Sequence, residues 1–185
     1  MKKAILISIR PEFVEKILNG EKTIEIRKNY PKCDIPIDVF IYCTKGTKNN
    51  IYDMGKHGAF AAYGNRFIYE KDTIIDKSKQ INKKVVAKFT LNKINPATFG
   101  RLYIEKSIEF AKKACLLDYE LIEYVNGNNT YAWHIDDLVI LDRPMELCDF
   151  NKIACILGRP DKCSQFRSGM KRPPQSWQYV EVADD

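Results

Sequence analysis

The sequence predicts an α+β domain in which about five to seven strands can close as a small β-barrel. Its 185 residues, 45% apolar and 29% charged, suit one globular domain over residues 1–185 with a substantial core. After one strand–helix unit, strands and helices no longer alternate regularly, which disfavours a doubly wound parallel sheet. Closing short strands into a barrel also removes exposed sheet edges.

The N-terminal unit is predicted as a buried strand followed by a short helix. Residues 4–9 are almost entirely apolar, and Pro11 suits the first turn of a helix because its missing N–H needs no partner there. We expect Gly20 to end this helix, since glycine adopts a left-handed backbone at little cost. The apolar stripe of the helix is predicted at Phe13, Val14, Ile17 and Leu18.

The middle of the chain contains two strand patterns separated by an insertion. Residues 37–43 and 84–93 alternate as strands do. Residues 44–82 are too long for a simple loop and predict an irregular insertion with short elements, including a strand near 67–70.

A pair of helices over about 102–126 and three strands are predicted in the second half. Asp118 is expected to cap the second helix. The buried stripes are predicted at Ile104, Ile108, Ala111 and Cys115, and at Leu121, Ile122 and Val125. The strands are predicted at 130–135, at 138–141 with Pro144 as its end, and at 176–182.

No apolar run approaches the roughly 18 residues that a membrane helix needs. Arg10, Pro11 and Glu12 interrupt the N-terminal apolar segment too early for a signal peptide. We therefore expect a cytoplasmic protein that has no membrane partner.

The six cysteines include no CxxC pair, and cytosolic thiols are usually reduced. Cys148, Cys155 and Cys163 are loosely clustered, but a zinc site typically brings its first two ligands closer in sequence. We expect no disulfide, no bound metal and no cofactor.

The net charge of +6 permits nucleic-acid binding without requiring it. Residues 151–180 contain six basic residues, among them Lys171 and Arg172, against Asp161 alone. This segment is either a phosphate-facing patch or a solvated basic stretch with no partner.

Polar residues follow Gly20 inside a strand pattern. Alternation places Glu25 and Arg27 on one face and the isoleucines beside them on the other. Lys22 has the parity of the isoleucines and reaches the polar face only from the turn after Gly20.

Two interpretations fit these polar residues. The residues line a ligand cleft, where Lys22 and Arg27 meet phosphate and Glu25 reads a base or acts as a general base. Alternatively, Glu25 and Arg27 form a structural ion pair.

The pattern Gly20-x-Lys22-x-x-Glu25-x-Arg27 after a strand–helix unit resembles the GxKxxExR signature of the ASCH domain family (activating signal cointegrator homology), part of the PUA-like superfamily. Residues 131–135 and 172–181 also resemble strands of bacterial and phage ASCH-like proteins. The resemblance implies a PUA-like β-barrel with helices at its openings and a cleft beside the signature strand. It also implies a role related to RNA or another nucleic acid.

One compact branch of that family consists of amidohydrolases that remove an acyl group from a modified cytidine, and other members have been linked to ribonuclease activity. A lysine of that branch matches Lys22, but Glu25 stands where the branch has a threonine nucleophile. Because a carboxylate cannot become an alkoxide, the resemblance does not transfer that mechanism. If the chain is an enzyme, the catalytic candidates are Lys22, Glu25 and His134.

Aromatic side chains are the second signal of nucleic-acid binding, because unpaired bases stack on such rings. Tyr30 and Tyr63 lie in polar loops and are the preferred stacking candidates. Most other aromatic residues suit the core, and Trp133 with Trp177 is the expected core pair.

His134 and Arg10 are the remaining candidates. His134 precedes Asp136 and Asp137, so it is either a base with an orienting carboxylate or a structural residue. Arg10, at the end of the first strand, would add to an anion site.

The sequence thus predicts a protein that binds RNA, another nucleic acid, or a nucleotide or nucleoside. One alternative is a hydrolase of the same fold acting on an acylated nucleoside or on RNA, and another is a protein-interaction module. The predicted binding residues are Arg10, Lys22, Glu25, Arg27, Tyr30, Tyr63, Lys171 and Arg172.

Overall fold

A computed structural model of the chain describes residues 1–46, 50–52, 61–63, 80–97, 104–125, 129–152 and 169–183. Its helices are α1 (Pro11–Leu18), α2 (Ile104–Ala114) and α3 (Asp118–Val125), with a short 3-10 helix at Leu147–Asp149. Its strands are β1 (Lys2–Ile9), β2 (Ile24–Arg27), β3 (Ile37–Cys43), β4 (Asn50–Tyr52), β5 (Ala61–Tyr63), β6 (Val85–Leu91), β7 (Ile94–Pro96), β8 (Tyr131–His134), β9 (Asp136–Met145), β10 (Asn151–Lys152) and β11 (Trp177–Val182).

The strands form a large sheet, a small sheet and a separate hairpin. The large sheet has six strands in the order β10-β11-β1-β3-β6-β9, and the small sheet has three in the order β2-β8-β7. In the large sheet β1 and β3 run parallel, whereas the other neighbours are antiparallel. Strands β4 and β5 pair with each other. The mixture of parallel and antiparallel strands with helices confirms the predicted α+β class.

Strand β1 lies inside the large sheet and is buried on both faces, which explains its continuous apolar run. Ile5 and Ile7 belong to a core that also contains Val14 of α1 and Trp133 of β8. Leu6, on the opposite face, belongs to a second core. The first core therefore fills the space between the large sheet, α1 and the small sheet.

Strand β2 has an apolar face and a polar face, as its alternation predicted. Ile24 and Ile26 are buried in a third core with Ala111 of α2 and Leu121 of α3. The two helices thus cover one side of the small sheet and direct Glu25 to its other side.

The predicted buried stripes of the two helices are wrong at Ile108 and Ile122, whose side chains are 51% and 67% exposed. Ala111, Leu121 and Val125 are buried as predicted, and Ala114, which the stripes did not include, also faces inward. Small alanine side chains allow α2 to approach β2 closely, so the helix turns that face toward the sheet.

Two prolines lie within strands, and the sequence predicted that one of them, Pro144, would end its strand. Strand β9 continues through Pro144, and Pro96 closes β7, which the sequence did not predict. Both strands lie at sheet edges, where the missing N–H of proline removes no ladder hydrogen bond. Strands β4 and β5 fall inside the predicted insertion, and the strand predicted near 67–70 lies outside the described residues.

Cys33, Cys43, Cys115 and Cys148 are free thiols, whereas Cys155 and Cys163 lie outside the described residues. Within the described ranges no group of three or more His, Cys, Asp or Glu residues could hold a metal ion. No helix of that part of the chain is long and apolar enough to cross a membrane.

Candidate functional site

Glu25 is the centre of a buried ion network on the polar face of β2. Its Oε2 lies 3.1 Å from Lys22 Nζ, and its Oε1 lies 3.1 Å from Arg27 Nε. Burial alone would raise the pKa of Glu25, but the charges of Lys22 and Arg27 outweigh it and hold the pKa below its ordinary value of 4.5. The carboxylate is therefore ionised at neutral pH and shared between two cations.

Lys22 reaches this network because it lies in the turn before the strand. Gly20 ends the helical segment with a φ of +76°, and the Lys22 N–H donates to the Lys16 carbonyl at 3.0 Å. A Cβ on Gly20 would meet open space, so glycine is needed there for its backbone conformation. Because Lys22 lies in the turn before β2, its side chain does not follow the alternation of the strand and can reach Glu25.

The Lys22 ammonium also caps helix α2. It donates to the Ala114 carbonyl oxygen at 2.8 Å and lies 5.2 Å from the centroid of the Phe13 ring. The last carbonyls of a helix have no partner within the helix, and the helix dipole favours positive charge there. Lys22 is only 3% exposed, so its charge is used inside the protein.

Arg27 connects β2 to two other segments of the chain. Its Nη2 donates to the Ser8 carbonyl of β1 at 2.8 Å, and its Nη1 donates to Ser176 Oγ at 3.2 Å, just before β11. The Ser8 hydroxyl in turn donates to the Pro174 carbonyl at 2.7 Å. The network therefore joins β1, β2, α2 and the segment that leads into β11.

The network has a surplus of positive charge. Glu25 is the one carboxylate within ion-pair distance of Lys22 and Arg27 among the described residues. A guanidinium has five N–H donors, and each terminal nitrogen of Arg27 uses one of its two in the bonds above. The Arg27 side chain is 13% exposed, and its buried Nε lies 3.1 Å from Glu25 Oε1 without forming a hydrogen bond within the described residues.

Comparison with known proteins identifies the family. The ASCH domain family model matches residues 7–137, a segment that includes β2 and all three charged residues of the network. The chain belongs to the ASCH domain family. The family resemblance of the GxKxxExR pattern is thereby confirmed.

This ASCH domain is similar to the crystal structure of ASCH from Zymomonas mobilis, with 19% identity and a TM-score of 0.54 over 96% of this chain and 87% of that chain. A tyrosine-to-phenylalanine mutant of that protein gives 19% identity and a TM-score of 0.55, over 97% of this chain and 91% of that one. A serine-to-alanine mutant of the same protein gives 19% identity and a TM-score of 0.56, over 96% of this chain and 88% of that chain. No curated protein matches the chain. These structures support the PUA-like fold.

After Arg27, the chain of this ASCH domain reaches the surface, where Lys28 and Tyr30 are both exposed. Lys28 Nζ lies 5.4 Å from the centroid of the Tyr124 ring of α3. The Tyr30 ring packs against Tyr131 of β8, with centroids 4.5 Å apart. Tyr30, a predicted stacking residue, thus lies directly after the ion network.

The expected tryptophan pair is confirmed, with the Trp133 and Trp177 ring centroids 5.4 Å apart. Trp177 Nε1 donates to Asn29 Oδ1 at 2.7 Å. Trp133 is fully buried opposite Glu25 in the β2–β8 pairing, and its Nε1 has no hydrogen-bond partner within the described residues. A buried N–H without a hydrogen-bond partner lowers the stability of the fold by about 1–3 kcal/mol. The Trp133 side chain lies on the same face of the small sheet as Glu25.

The ASCH domain places His134 away from Glu25. His134 pairs with Ile24 in the β2–β8 register and therefore lies on the opposite face of the small sheet. Its Nε2 is 2.7 Å from Asn95 Oδ1, so an amide orients the ring. Burial and the charge of Lys93 lower the pKa of His134 despite the opposing effect of Asp136, which favours the neutral ring at pH 7.

Of the other predicted residues that the structure describes, Arg10, Lys171 and Arg172 are not side-chain partners of Lys22, Glu25 or Arg27. Arg10 is exposed at the N-terminal end of α1, and Lys171 and Arg172 are exposed before β11. The Tyr63 side chain and residues 153–168 of the basic segment lie outside the described residues.

Sequence reasoning missed several participants in this arrangement, among them the Ala114 carbonyl, Ser176 and Tyr124. A backbone carbonyl has no sequence signal of its own. Tyr124 had one, because a tyrosine near the end of an amphipathic helix is well placed to reach the neighbouring strand.

Proposed function

We propose that this ASCH domain binds RNA through a phosphate-accepting cleft beside β2. The surplus positive charge of the Lys22–Glu25–Arg27 network is the observation that supports this most. A charge without a full counter-charge at a buried site is unfavourable, and a phosphate oxygen would relieve it through charge-assisted hydrogen bonds.

The three residues have different parts in this proposal. Arg27 is the phosphate contact, since its side chain is 13% exposed and has terminal N–H donors left over. Glu25 orients the guanidinium, because both of its oxygens face cations. Lys22 is 3% exposed and does not contact the ligand; its charge keeps Glu25 ionised and in place. Lys171, Arg172 and Arg10 are exposed and would add sequence-independent phosphate contacts.

Fluorescence anisotropy with a labelled single-stranded RNA of mixed sequence, repeated across a range of KCl concentrations, tests this proposal. Arg27→Ala is expected to weaken binding and to lower the slope of log K against log[salt] by about 0.7 for each phosphate that the variant no longer neutralises. Arg143→Ala, at an exposed arginine on the edge strand β9, is the matched control and should leave both unchanged.

Thermal unfolding of each variant separates loss of the fold from loss of binding, and Arg27→Lys retains the charge without the planar fork. A folded Arg27→Ala protein that binds RNA with the affinity and salt slope of the wild type would show that the cleft assignment is wrong.

Incubation of the pure protein with an acylated cytidine, followed by chromatography, tests the hydrolase alternative. Turnover without RNA binding would overturn the binding proposal in favour of a hydrolase. A protein that neither binds RNA nor turns over the substrate would fit the protein-interaction alternative.

A further inference from the structure

Ser8, in β1, joins Arg27 to the segment that leads into β11. Its carbonyl oxygen accepts from Arg27 Nη2 at 2.8 Å, and its hydroxyl donates to the Pro174 carbonyl at 2.7 Å. Its N–H donates to the Ser176 carbonyl at 2.9 Å. Ser8 is 8% exposed, so these bonds lie away from water. Ser8 therefore fixes Pro174 and Ser176 relative to the Arg27 guanidinium.

Arg172 lies on a short exposed stretch that is held at both ends. Residues 171–173 are exposed, and the hydrogen-bonded Pro174 follows them directly. Met170, before them, is buried, and its N–H donates to the Phe150 carbonyl at 2.8 Å. An exposed stretch of three residues between two fixed points has little freedom to move away from the network.

Two prolines stiffen the connection between Arg172 and the fixed carbonyl. Arg172 directly precedes Pro173 and Pro174. Proline fixes its own φ at about −65°, and a residue before proline favours an extended backbone. Two residues span at most about 7 Å, so the Arg172 Cα lies within about 7 Å of the Pro174 Cα. From there a side chain as long as arginine reaches a ligand group beside the Arg27 guanidinium.

The charge of Arg172 is available to such a ligand. Arg172 is exposed and has no side-chain hydrogen bond or ion pair with another described residue. A guanidinium matches the geometry of a phosphate, with which it can form two parallel hydrogen bonds. A nucleic-acid strand carries one phosphate for each nucleotide, so two guanidinium groups held near each other suit consecutive phosphates.

We propose that Arg27 and Arg172 bind consecutive phosphates of an RNA strand and that Ser8 is the positioning residue that holds the two arginines in register. This inference rests on the proposed RNA binding and adds the class of ligand, a single-stranded segment with at least two phosphates. Ser8 touches no ligand. Its hydroxyl acts on Arg172 through the Pro174 carbonyl.

A double-mutant cycle on Ser8 and Arg172 tests the positioning role. Fluorescence anisotropy with labelled single-stranded RNA gives the affinities of the wild type, Ser8→Ala, Arg172→Ala and the double variant. Ordering one long side chain costs binding about 2- to 12-fold, so Ser8→Ala should weaken binding by about this factor while Arg172 is present. In the Arg172→Ala background it should leave the affinity unchanged. Equal factors in the two backgrounds would overturn the positioning role, because a general structural effect does not depend on Arg172.

Ser176→Ala is the matched control on the same segment. It removes the hydroxyl that accepts from Arg27 Nη1 and retains the backbone bond to Ser8, so its effect on affinity should be the same with Arg or Ala at position 172. Ser8→Thr retains a hydroxyl in a residue that suits a strand and should restore the affinity that Ser8→Ala loses. No recovery with a folded Ser8→Thr protein would contradict the role of the hydroxyl.

Short RNA oligonucleotides test whether the two phosphates are consecutive, and they need no variant of Ser8. The probes are a dinucleotide with one phosphate and a trinucleotide with two, both without terminal phosphates, each competing with the labelled RNA. Arg172→Ala should lower the salt slope for the trinucleotide by about 0.7 and leave that for the dinucleotide unchanged. Arg27→Ala should weaken the binding of both. Equal changes for the two probes with Arg172→Ala would show that the phosphates are not consecutive.

The outcomes separate this inference from the proposed function. Circular dichroism shows that each variant is folded before its binding is compared. If Arg27→Ala weakens RNA binding and Arg172→Ala changes neither affinity nor salt slope, the inference is wrong and the proposed function stands. If the wild type binds no single-stranded RNA, both fail together.

Discussion

Lys22 precedes β2 in the chain and Lys28 follows it. The two lysines show how burial changes the role of the same side chain. Each ammonium lies over an aromatic ring at a similar distance, 5.2 Å from Phe13 for Lys22 and 5.4 Å from Tyr124 for Lys28. Lys22 is 3% exposed and has Glu25 and the Ala114 carbonyl as partners, whereas Lys28 is exposed.

The family signature, Gly20 to Arg27, contains buried charges with a structural role, whereas the residues that follow it are exposed. A buried charge must be paired, and removing one partner leaves the other uncompensated at a high cost. An exposed charge contributes little to stability because water and salt screen it. Lys22 and Glu25 should therefore matter mainly for stability, Arg27 for both stability and binding, and residues 28–30 mainly for binding.

The largest expected effect is that of Glu25→Gln, which removes the counter-charge of both Lys22 and Arg27 while keeping the shape of the side chain. We expect the free energy of unfolding to fall by about 3–5 kcal/mol. Urea denaturation followed by circular dichroism measures it. Glu21→Gln, at an exposed position in the turn before β2, is the control and should stay within about 0.5 kcal/mol of the wild type. A loss below about 1 kcal/mol for Glu25→Gln would contradict the structural role of the network.

A smaller effect is expected from pH. The pKa of Glu25 is lowered in the folded protein, so the unfolded state binds the proton more readily. The stability due to Glu25 is present above its ordinary pKa of 4.5 and is lost as the pH falls through the lowered value.

This single group contributes a slope of at most about 1.4 kcal/mol per pH unit. Urea denaturation of the wild type and of Glu25→Gln between about pH 6 and about pH 3 measures the slope. The variant should show a shallower dependence. Equal slopes would mean that Glu25 does not have a lowered pKa.

Ser176→Ala should have a moderate effect, because it removes the hydroxyl that accepts from Arg27 Nη1 at 3.2 Å. We expect a loss of about 0.5–1.5 kcal/mol in the free energy of unfolding. Ser176→Thr keeps the hydroxyl and should retain most of the stability. If both variants are equally destabilised, the hydrogen bond to Arg27 is not the cause.

Lys28→Ala should change the free energy of unfolding least, by less than about 0.5 kcal/mol, since the side chain is exposed. Its counterpart Lys22→Met, which keeps a long apolar stem, should cost several times more under the same urea denaturation because Glu25 and the Ala114 carbonyl are each left without this partner. Equal costs for the two lysine variants would show that burial does not distinguish them.

Local patterns predicted much of the fold. The apolar run of residues 4–9 and the alternation in 37–43 correspond to β1 and β3. These predictions hold because side-chain periodicity follows directly from backbone geometry. The inward sides of α2 and α3 were less predictable. Ile108 and Ile122 fit the spacing of a buried helical stripe, yet their side chains are exposed.

The candidate site was predicted in part. The sequence identified Lys22, Glu25 and Arg27 and the condition under which Lys22 joins them. It could not identify their partners, because the Ala114 carbonyl is 92 residues from Lys22 and Ser176 is 149 residues from Arg27. Contacts over such separations depend on how the sheets and helices pack.

The sequence by itself determined the two faces of β2, the turn at Gly20 and the family of the chain, because alternation, a left-handed turn and a spaced motif are local properties. The tertiary structure decided which charges are buried. It buried Lys22 against the C-terminal end of α2 and Glu25 on the face of the small sheet that the helices do not cover, and it left Lys28 and Tyr30 at the surface. Burial is set by what packs above a residue, and that depends on the whole chain.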